Sequence, residues 1–474
     1  MKLTYIARRI KVFTAAVCLL TAAFTNNTSY FAHATEQEPE ITYSSPYVTT
    51  DNWPAAPAIS ARSAILINVN TGTILYDKDC DAKKYPASMT KVMTALLTIE
   101  NTALSDTVTY SDNAVFDLEE GASYLALNYG EQLTVEQSLY GLMLASANDV
   151  ANGLAIYTSG SIGNFVNKMN ERAAQIGCTN THFANANGLH DDNHYTSCHD
   201  MALIMIEAIK NNTFLGICST EYYEIPPTNM QPETRRLRML HKMMNPTDQY
   251  YYPYCICGKT GYTDEAGTTL VTYCKKDNME LISVIMDSYF TQYDDTIALM
   301  NYGFDNFTLY NMSDHSSHDA GSMIKNSLLS SILPSTSSLI QVDPKSSIIL
   351  PSYESPDSVE SVITYDDNNA GKSNVAANIA YYYNNIKIGE STLRFKDTED
   401  ISTYDYMNSE KQQQSVDIFA HDDKILITKS QLALYITYTI LAIILLIIII
   451  IYFSPSNRRR RQKRRTGLNL NRYD

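Results

Sequence analysis

Apolar positions in this 474-residue chain fall into two rhythms, and each predicts its own elements. In YPASMTKVMTALLTIE, residues 85–100, Met89, Val92, Met93, Leu96, Leu97 and Ile99 leave little face for water. That pattern predicts a helix buried on nearly every side. Just upstream, ARSAILINVNTGTILYDKD has two β-favouring runs around Asn70-Thr71-Gly72, which predicts a hairpin. Residues 101–215 read as mostly helical, with loops at 115–125 and 178–197. Residues 255–289 read as successive strands, with Leu270–Tyr273 and Leu281–Met286 parted by a polar turn. A serine-rich stretch at 313–340 reads as a linker, and short alternating strands then run to about residue 400. Residues 341–425 are accordingly expected to hold a small β-rich domain.

The two ends follow neither rhythm. Residues 1–34 carry Lys2, Arg8, Arg9 and Lys11, then the apolar run Val12–Phe24, then Ala32-His33-Ala34, which is the layout of a secretory signal peptide. A cleavage site near Ala22–Ala23 stays open beside the one after Ala34. Leu432–Phe453 is 22 residues without a charge, and Arg458–Arg465 follows it closely as RRRRQKRR. At about 1.5 Å per helical residue this run spans a hydrocarbon core of roughly 30 Å. The flanking positive charge predicts a cytoplasmic tail at 454–474 and an outward-facing body.

Charge changes once the ends are set aside. Removing the 4 basic residues of the leader and the 8 basic and 1 acidic of the tail leaves 24 basic and 50 acidic residues in 35–453, a net of −26. A body so acidic excludes nucleic acid as a partner. Of eight cysteines, Cys18 lies in the leader, and the seven others are irregularly spaced. An odd, irregular set is no disulfide framework, and these cysteines read mostly as small buried apolar residues.

Three short motifs interrupt the apolar pattern with chemistry. Ser88 and Lys91 stand three residues apart and share a helix face. A serine hydroxyl is a poor nucleophile until a base takes its proton, and a lysine sunk among apolar residues has a lowered pKa that suits it to be that base. Ser146-Ala147-Asn148 places a hydroxyl and an amide inside the apolar run LMLASANDVANGLA. Gly258-Lys259-Thr260-Gly261 heads a strand, where glycines let a second backbone approach as an added strand and Lys259 reads as a fixed positive charge. Singly these motifs are common. In this order, at gaps of 55 and about 110 residues, they form the signature of penicillin-recognising serine acyltransferases.

On these motifs and on blocks such as YLALNYGEQLTVEQSLYGLMLASANDVANGLA and GKTGYTDEAGTTLV, the chain resembles the low-molecular-mass penicillin-binding proteins that are D-alanyl-D-alanine carboxypeptidases. The resemblance covers roughly 58–310 well and 340–400 weakly. It implies an α/β (α+β) penicillin-recognising, β-lactamase-like transpeptidase fold at 55–312: an antiparallel sheet packed with a helical subdomain, followed by the small all-β domain and the C-terminal transmembrane helix. It also implies roles. Ser88 attacks the carbonyl of the penultimate D-Ala, and Lys91 takes the proton. Ser146 relays it to the leaving amine, while Asn148 holds the substrate amide and Lys91. Lys259, Thr260 and Gly261 bind the terminal carboxylate end, and the backbone N–H groups of Ser88 and Tyr262 form the oxyanion hole. The implied partners are peptidoglycan stem peptides ending in D-Ala-D-Ala and β-lactams, with the membrane reached through the C-terminal helix. No cofactor or metal is implied.

Three departures accompany the resemblance. Family members usually carry an arginine after the LISVIM strand, but DSYFTQYDDTIALMNYGF has none. The segment before the KTG strand, LHKMMNPTDQYYYPYCIC, lacks the customary asparagine–leucine signature. An arginine common at SCHD is His199 here, which makes His199 the candidate helper for carboxylate capture. Rival readings are a zinc site among His190, His194, Cys198, His199 and Asp200, a class A β-lactamase, and an idle penicillin-sensing wall protein.

Overall fold

The computed structural model describes residues 52–115, 122–312, 340–364 and 375–395. The leader at 1–34, nearly all of the 313–340 linker, the apolar run at 432–453 and the tail at 454–474 lie outside the described residues. Among the described residues no single helix is long and apolar enough to cross a membrane.

The chain enters through β1 (Ser63–Asn68) and β2 (Ile74–Lys78), an antiparallel hairpin as the sequence predicts. Its turn is tied by Asn68 Oδ1, which accepts from Thr71 N–H (3.0 Å) and Thr71 Oγ1 (2.9 Å). A 3₁₀ turn, Ala87–Thr90, runs directly into α1 (Lys91–Asn101). The helical part continues with α2 (Asp112–Val115), α3 (Val135–Leu144), α4 (Asn148–Ser159), α5 (Ile162–Ile176), α6 (Cys198–Ile209) and α7 (Asn212–Cys218). Local signals set several of the starts. Thr134 and Gln137 close a capping box on α3, while Ser197 caps α6 and Asn211 caps α7. Two small ladders within 101–240 were not visible in the apolar rhythm: β3 (Thr107–Thr109) with β4 (Gln132–Thr134), and β5 (Tyr222–Ile225) with β6 (Arg235–Arg238). Each strand has three or four residues, too few for a periodic signal.

β7 (Cys255–Thr263), β8 (Gly267–Lys276) and β9 (Met279–Ser288) complete a five-stranded antiparallel sheet in the order β2-β1-β9-β8-β7. Strand alternation splits its side chains between two cores. Ile65, Ile67, Val271, Ile282 and Val284 face the helices, whereas Ala64, Leu66, Leu270, Leu281 and Ile285 face α8 (Gln292–Asn306). Both faces are covered, so β1 is buried at all six positions, and its centre, Ala64–Ile67, reads as a continuous apolar run. β7 closes one edge of the sheet and β2 the other.

The second sheet starts earlier than the sequence suggests. β10 (Phe307–Asn311) follows α8 without a break and pairs with β12 (Ser347–Pro351), so the seam falls at 306/307, inside the segment read as catalytic. With β11 (Ile340–Val342), β13 (Glu360–Thr364), β14 (Val375–Tyr383) and β15 (Ile386–Phe395) it forms a six-stranded antiparallel sheet. One core runs from Leu299 and Met300 of α8 to Ile348, Leu350, Ile379 and Leu393 of this sheet. The single tryptophan of the chain, Trp53, lies across the seam. Its ring is 5.1 Å from Phe307 and 6.5 Å from Tyr383, and its Nε1–H donates to Leu75 O (3.3 Å).

Candidate active site

Ser88 sits in the 3₁₀ turn and Lys91 opens α1, so the hydroxyl and the ammonium stand at the mouth of the buried helix. The turn is pinned from three sides. Thr90 Oγ1 donates to Ala87 O (2.8 Å), and Thr269 Oγ1 of β8 donates to Pro86 O (3.0 Å). Gly188, at φ +87°, lies so close that a Cβ there would come within 2.0 Å of Ala87 O. Only glycine meets both the backbone angle and the space.

Lys91 is fully buried, and its Nζ donates to Ser88 Oγ (2.8 Å), Asn148 Oδ1 (2.6 Å) and Asn187 O (2.6 Å). Burial holds its pKa well below the ordinary lysine value, the nearby Lys259 pushes it down further, and Asp149 opposes them. The lowered pKa eases loss of the ammonium proton, which is what a base for the serine hydroxyl requires. Ser146 takes the left-handed conformation (φ +58°) in the bend between α3 and α4, with Ala147 at the N-cap of α4. Asn148 is 4% exposed, and its N–H donates to Ser123 O (2.8 Å). Beneath it the buried Asp149 carboxylate accepts from Leu125 N–H (3.1 Å), Leu127 N–H (3.2 Å) and Val150 N–H (2.9 Å). These bonds fasten the segment at 123–127 to the start of α4.

The KTG motif lies on the edge strand β7. A Cβ on Gly261 would come within 2.9 Å of Ser88 N and 2.4 Å of Thr269 Oγ1. The strand therefore reaches the nucleophile only because this residue is glycine. Lys259 Nζ donates to Thr260 O (2.8 Å). The pleat sends Lys259 and Gly261 toward the serine turn, and Thr260 and Tyr262 to the opposite face. Tyr262 is 54% exposed. The sequence reads Lys259 as a fixed positive charge on this strand. It is buried, and desolvation pushes its pKa down to about 7, with Cys218 opposing.

The sequence-predicted residues Ser88, Lys91, Ser146, Asn148, Lys259, Thr260, Gly261 and Tyr262 fall on the serine turn, α1, the α3–α4 bend and β7, and the distances above bring Ser88, Lys91, Asn148 and Gly261 together. His199 does not join them. Its Nδ1 is 3.1 Å from Asp81 Oδ1, just past β2, the edge strand opposite β7. The other proposed metal donors are engaged separately. His194 Nδ1 accepts from Ala184 N–H (3.0 Å), so the proton lies on Nε2, 2.7 Å from Thr90 Oγ1, and burial holds this ring neutral with a pKa of about 4. Asp200 accepts from Asn180 N–H and Thr181 Oγ1 (2.7 Å each). Among the described residues no three His, Cys, Asp or Glu side chains meet as a metal site.

Sequence reasoning missed Asn187, Gly188 and Asp149, and it weighed His194 only as a metal ligand. Asn187 acts through its backbone carbonyl, which no side-chain pattern signals. Asp149 adjoins Ser146-Ala147-Asn148, and a carboxylate inside an apolar run was a visible sign of a buried hydrogen-bonding role. The cysteines follow the sequence reading: Cys255 faces Cys274 across the β7–β8 ladder, Cys257 points away toward Cys218, and all seven described cysteines are free thiols.

The family model described as D-alanyl-D-alanine carboxypeptidase matches residues 50–289. The chain is 37% identical over 234 residues to the D-alanyl-D-alanine carboxypeptidase DacF of Bacillus subtilis (strain 168), covering 48% of this chain and 57% of that protein. It is 32% identical over 253 residues to DacA of Escherichia coli (strain K12), covering 49% and 57%. It is 33% identical over 263 residues to the D-alanyl-D-alanine carboxypeptidase of Streptomyces sp. (strain K15), covering 52% and 88%. The match thus spans under two thirds of the Bacillus and Escherichia proteins. Among solved structures, the Streptomyces K15 DD-transpeptidase superposes with a TM-score of 0.50 at 29% identity, over 52% of this chain and 100% of that one. The sheet and helices around the serine turn therefore have the fold of that DD-peptidase.

Proposed function

The chain belongs to the D-alanyl-D-alanine carboxypeptidase family, and from that premise we propose that it is a serine D-Ala-D-Ala carboxypeptidase working through an acyl-enzyme on Ser88. The observation that carries this reading is the Lys91 amine, buried, depressed in pKa and 2.8 Å from Ser88 Oγ. Ser88 Oγ attacks the carbonyl of the penultimate D-Ala as its proton passes to Lys91 Nζ. The negative oxygen of the tetrahedral intermediate lies against Ser88 N–H and Tyr262 N–H, donors already fixed before the reaction. Collapse breaks the amide C–N bond, and Ser146 hands the proton from Lys91 to the departing amine of D-alanine. Asn148 keeps Lys91 aimed at both hydroxyls. Water then attacks the ester, Lys91 accepts its proton, and Ser88 leaves as the free hydroxyl.

Thr260 and the protonated fraction of Lys259 receive the terminal carboxylate at the edge of β7, where the substrate lies as an added strand. The strained amide of a penicillin enters the same path and stops at the ester. The substrates are peptidoglycan stem peptides, and the acidic body works outside the cell, tethered by Leu432–Phe453 after removal of the leader. The test is twofold. A fluorescent penicillin labels the full chain and fails to label Ser88→Ala, and a stem pentapeptide yields free D-alanine. A Ser88→Ala protein that still takes the label would refute the acyl-enzyme.

A further inference from the structure

Three aromatic rings form a lip beside the KTG strand. Tyr262 stacks on Phe290 with ring centres 5.9 Å apart, and Tyr289 meets Phe290 edge-on at 5.3 Å. They are 54%, 61% and 86% exposed, so the apolar surface is continuous and open. Isolated exposed aromatics are ordinary, but a contiguous set beside a reactive centre is a binding feature. The lip is also held in place at a conformational cost. Phe290 has φ +59°, a left-handed angle that a bulky side chain seldom adopts. Its N–H donates to Thr268 Oγ1 (3.3 Å), which itself donates to Ser288 O (3.0 Å). Thr268 is the register partner of Tyr262. The strained loop is thereby fastened opposite the residue that follows the KTG motif, a placement that backbone strain favours at working sites.

The strand pleat says what meets this lip. Thr260 and Tyr262 share one face of β7, away from the Lys259 and Gly261 face that abuts the serine turn. On the reading above, a peptide with its carboxylate at Thr260 and its scissile carbonyl at Ser88 directs the side chain of its last residue over Tyr262 and Phe290. Along the sequence no lysine or arginine stands between Asp287 and Phe304, and Asp264 Oδ1 accepts a hydrogen bond from the Tyr262 hydroxyl (2.8 Å) at the lip's edge. Lys84 and Arg62 are paired with Asp287 (2.7 and 3.6 Å), so the lip itself offers a leaving side chain aromatic rings rather than a charge.

We propose that this aromatic lip is the subsite for the leaving residue, and that the enzyme releases large apolar D-amino acids, such as D-phenylalanine or D-leucine, from the end of the stem peptide. The inference rests on the carboxypeptidase reading and adds no chemical step. The same C–N bond breaks, the same Ser88 ester forms, and the departing amine takes the same proton.

The experiment compares kcat/KM of the full chain on peptides identical except for a terminal D-Ala, D-Phe or D-Glu. The expected result is that D-Phe is released at least as fast as D-Ala, and D-Glu at least tenfold more slowly. In Phe290→Ala the D-Phe to D-Ala ratio should fall about twofold to tenfold, the range of an aromatic contact. Phe290→Gly, which suits the left-handed backbone, serves if the alanine variant does not fold. A ratio unmoved in both variants, or a wild type that prefers D-Ala over D-Phe by more than tenfold, overturns the subsite. Absence of any amino-acid release together with absence of penicillin labelling overturns the carboxypeptidase reading and the inference with it.

Discussion

Lys259 offers the sharpest test of the site, because its charge is needed for one step and its burial works against that charge. With a pKa of about 7 in the free protein, the ammonium is about nine-tenths populated at pH 6 and about one-tenth at pH 8. Carboxylate capture should lose about tenfold for each further unit of pH above 7, equivalent to ~1.4 kcal/mol per decade. Meanwhile Lys91 must be neutral to act as base, and its lowered pKa places that requirement on the acid side of ordinary lysine. kcat/KM for a D-Ala-D-Ala peptide, which reports the free enzyme, should therefore rise with pH through the Lys91 ionisation and fall above pH 7. Once bound, the substrate carboxylate favours the charged form of Lys259, so kcat should stay flatter than kcat/KM over the same range. The control is the same peptide with its terminal carboxylate amidated. It should react more slowly and show no falling limb, since nothing in it needs the Lys259 charge. The assay is initial-rate release of the terminal residue from pH 5.5 to 9. A kcat/KM level between pH 7 and 9 for the acid peptide, or an identical fall for the amide, would refute the assignment of Lys259 to the carboxylate.

Lys91→Arg keeps a cation but cannot give up its proton near neutral pH, so penicillin acylation should drop at least 100-fold, with a lowered thermal midpoint because burial penalises the permanent charge; near-normal labelling would show that Lys91 is only structural. Lys259→Ala should lower peptide kcat/KM by about 10- to 100-fold, the worth of one charge-assisted hydrogen bond, and lower penicillin acylation less, since the strained ring supplies its own reactivity. Arg235→Leu removes the charged partner of the completely buried Glu131 carboxylate (Nη1 at 2.6 Å), while Asn128 N–H and Thr228 Oγ1 still donate to it. It should cost about 3–5 kcal/mol in denaturant unfolding, and an unchanged midpoint would show that water reaches Glu131.

The catalytic part of the chain was legible because its signals are local. A buried helix with Ser88 and Lys91 at its mouth, a hairpin around Asn70-Thr71-Gly72 and the glycines of the KTG strand each carry their reason within a few residues. What escaped depends on contacts far apart in sequence. Asn187 O meets Lys91 across 96 positions, and Gly188 is required because of where Ala87 lies. The desolvation of Lys259 escaped too, because composition says nothing of burial. The placement of β10 escaped for a related reason: a five-residue strand at the end of a helix continues the helix's apolar spacing, and only its partner at 347–351 reveals the sheet to which it belongs. His199, close in sequence to other site segments, faces the far edge because α6 presents it to Asp81.

Trp53 gives the protein a spectroscopic reporter of its own. Its indole is 9% exposed and touches β2, β10 and β14 at once, so its emission follows the packing of the two sheets against each other. The chain has 35 tyrosines and one tryptophan, and excitation absorbed by many rings drains toward this single seam. Heating should shift the emission to longer wavelength when the seam parts, whatever happens at Ser88. Fluorescence and penicillin labelling therefore time separate events on one molecule. If the label survives after the emission has shifted, the serine turn keeps its shape without the second sheet; if both are lost at one temperature, the shared core makes the two sheets a single cooperative unit.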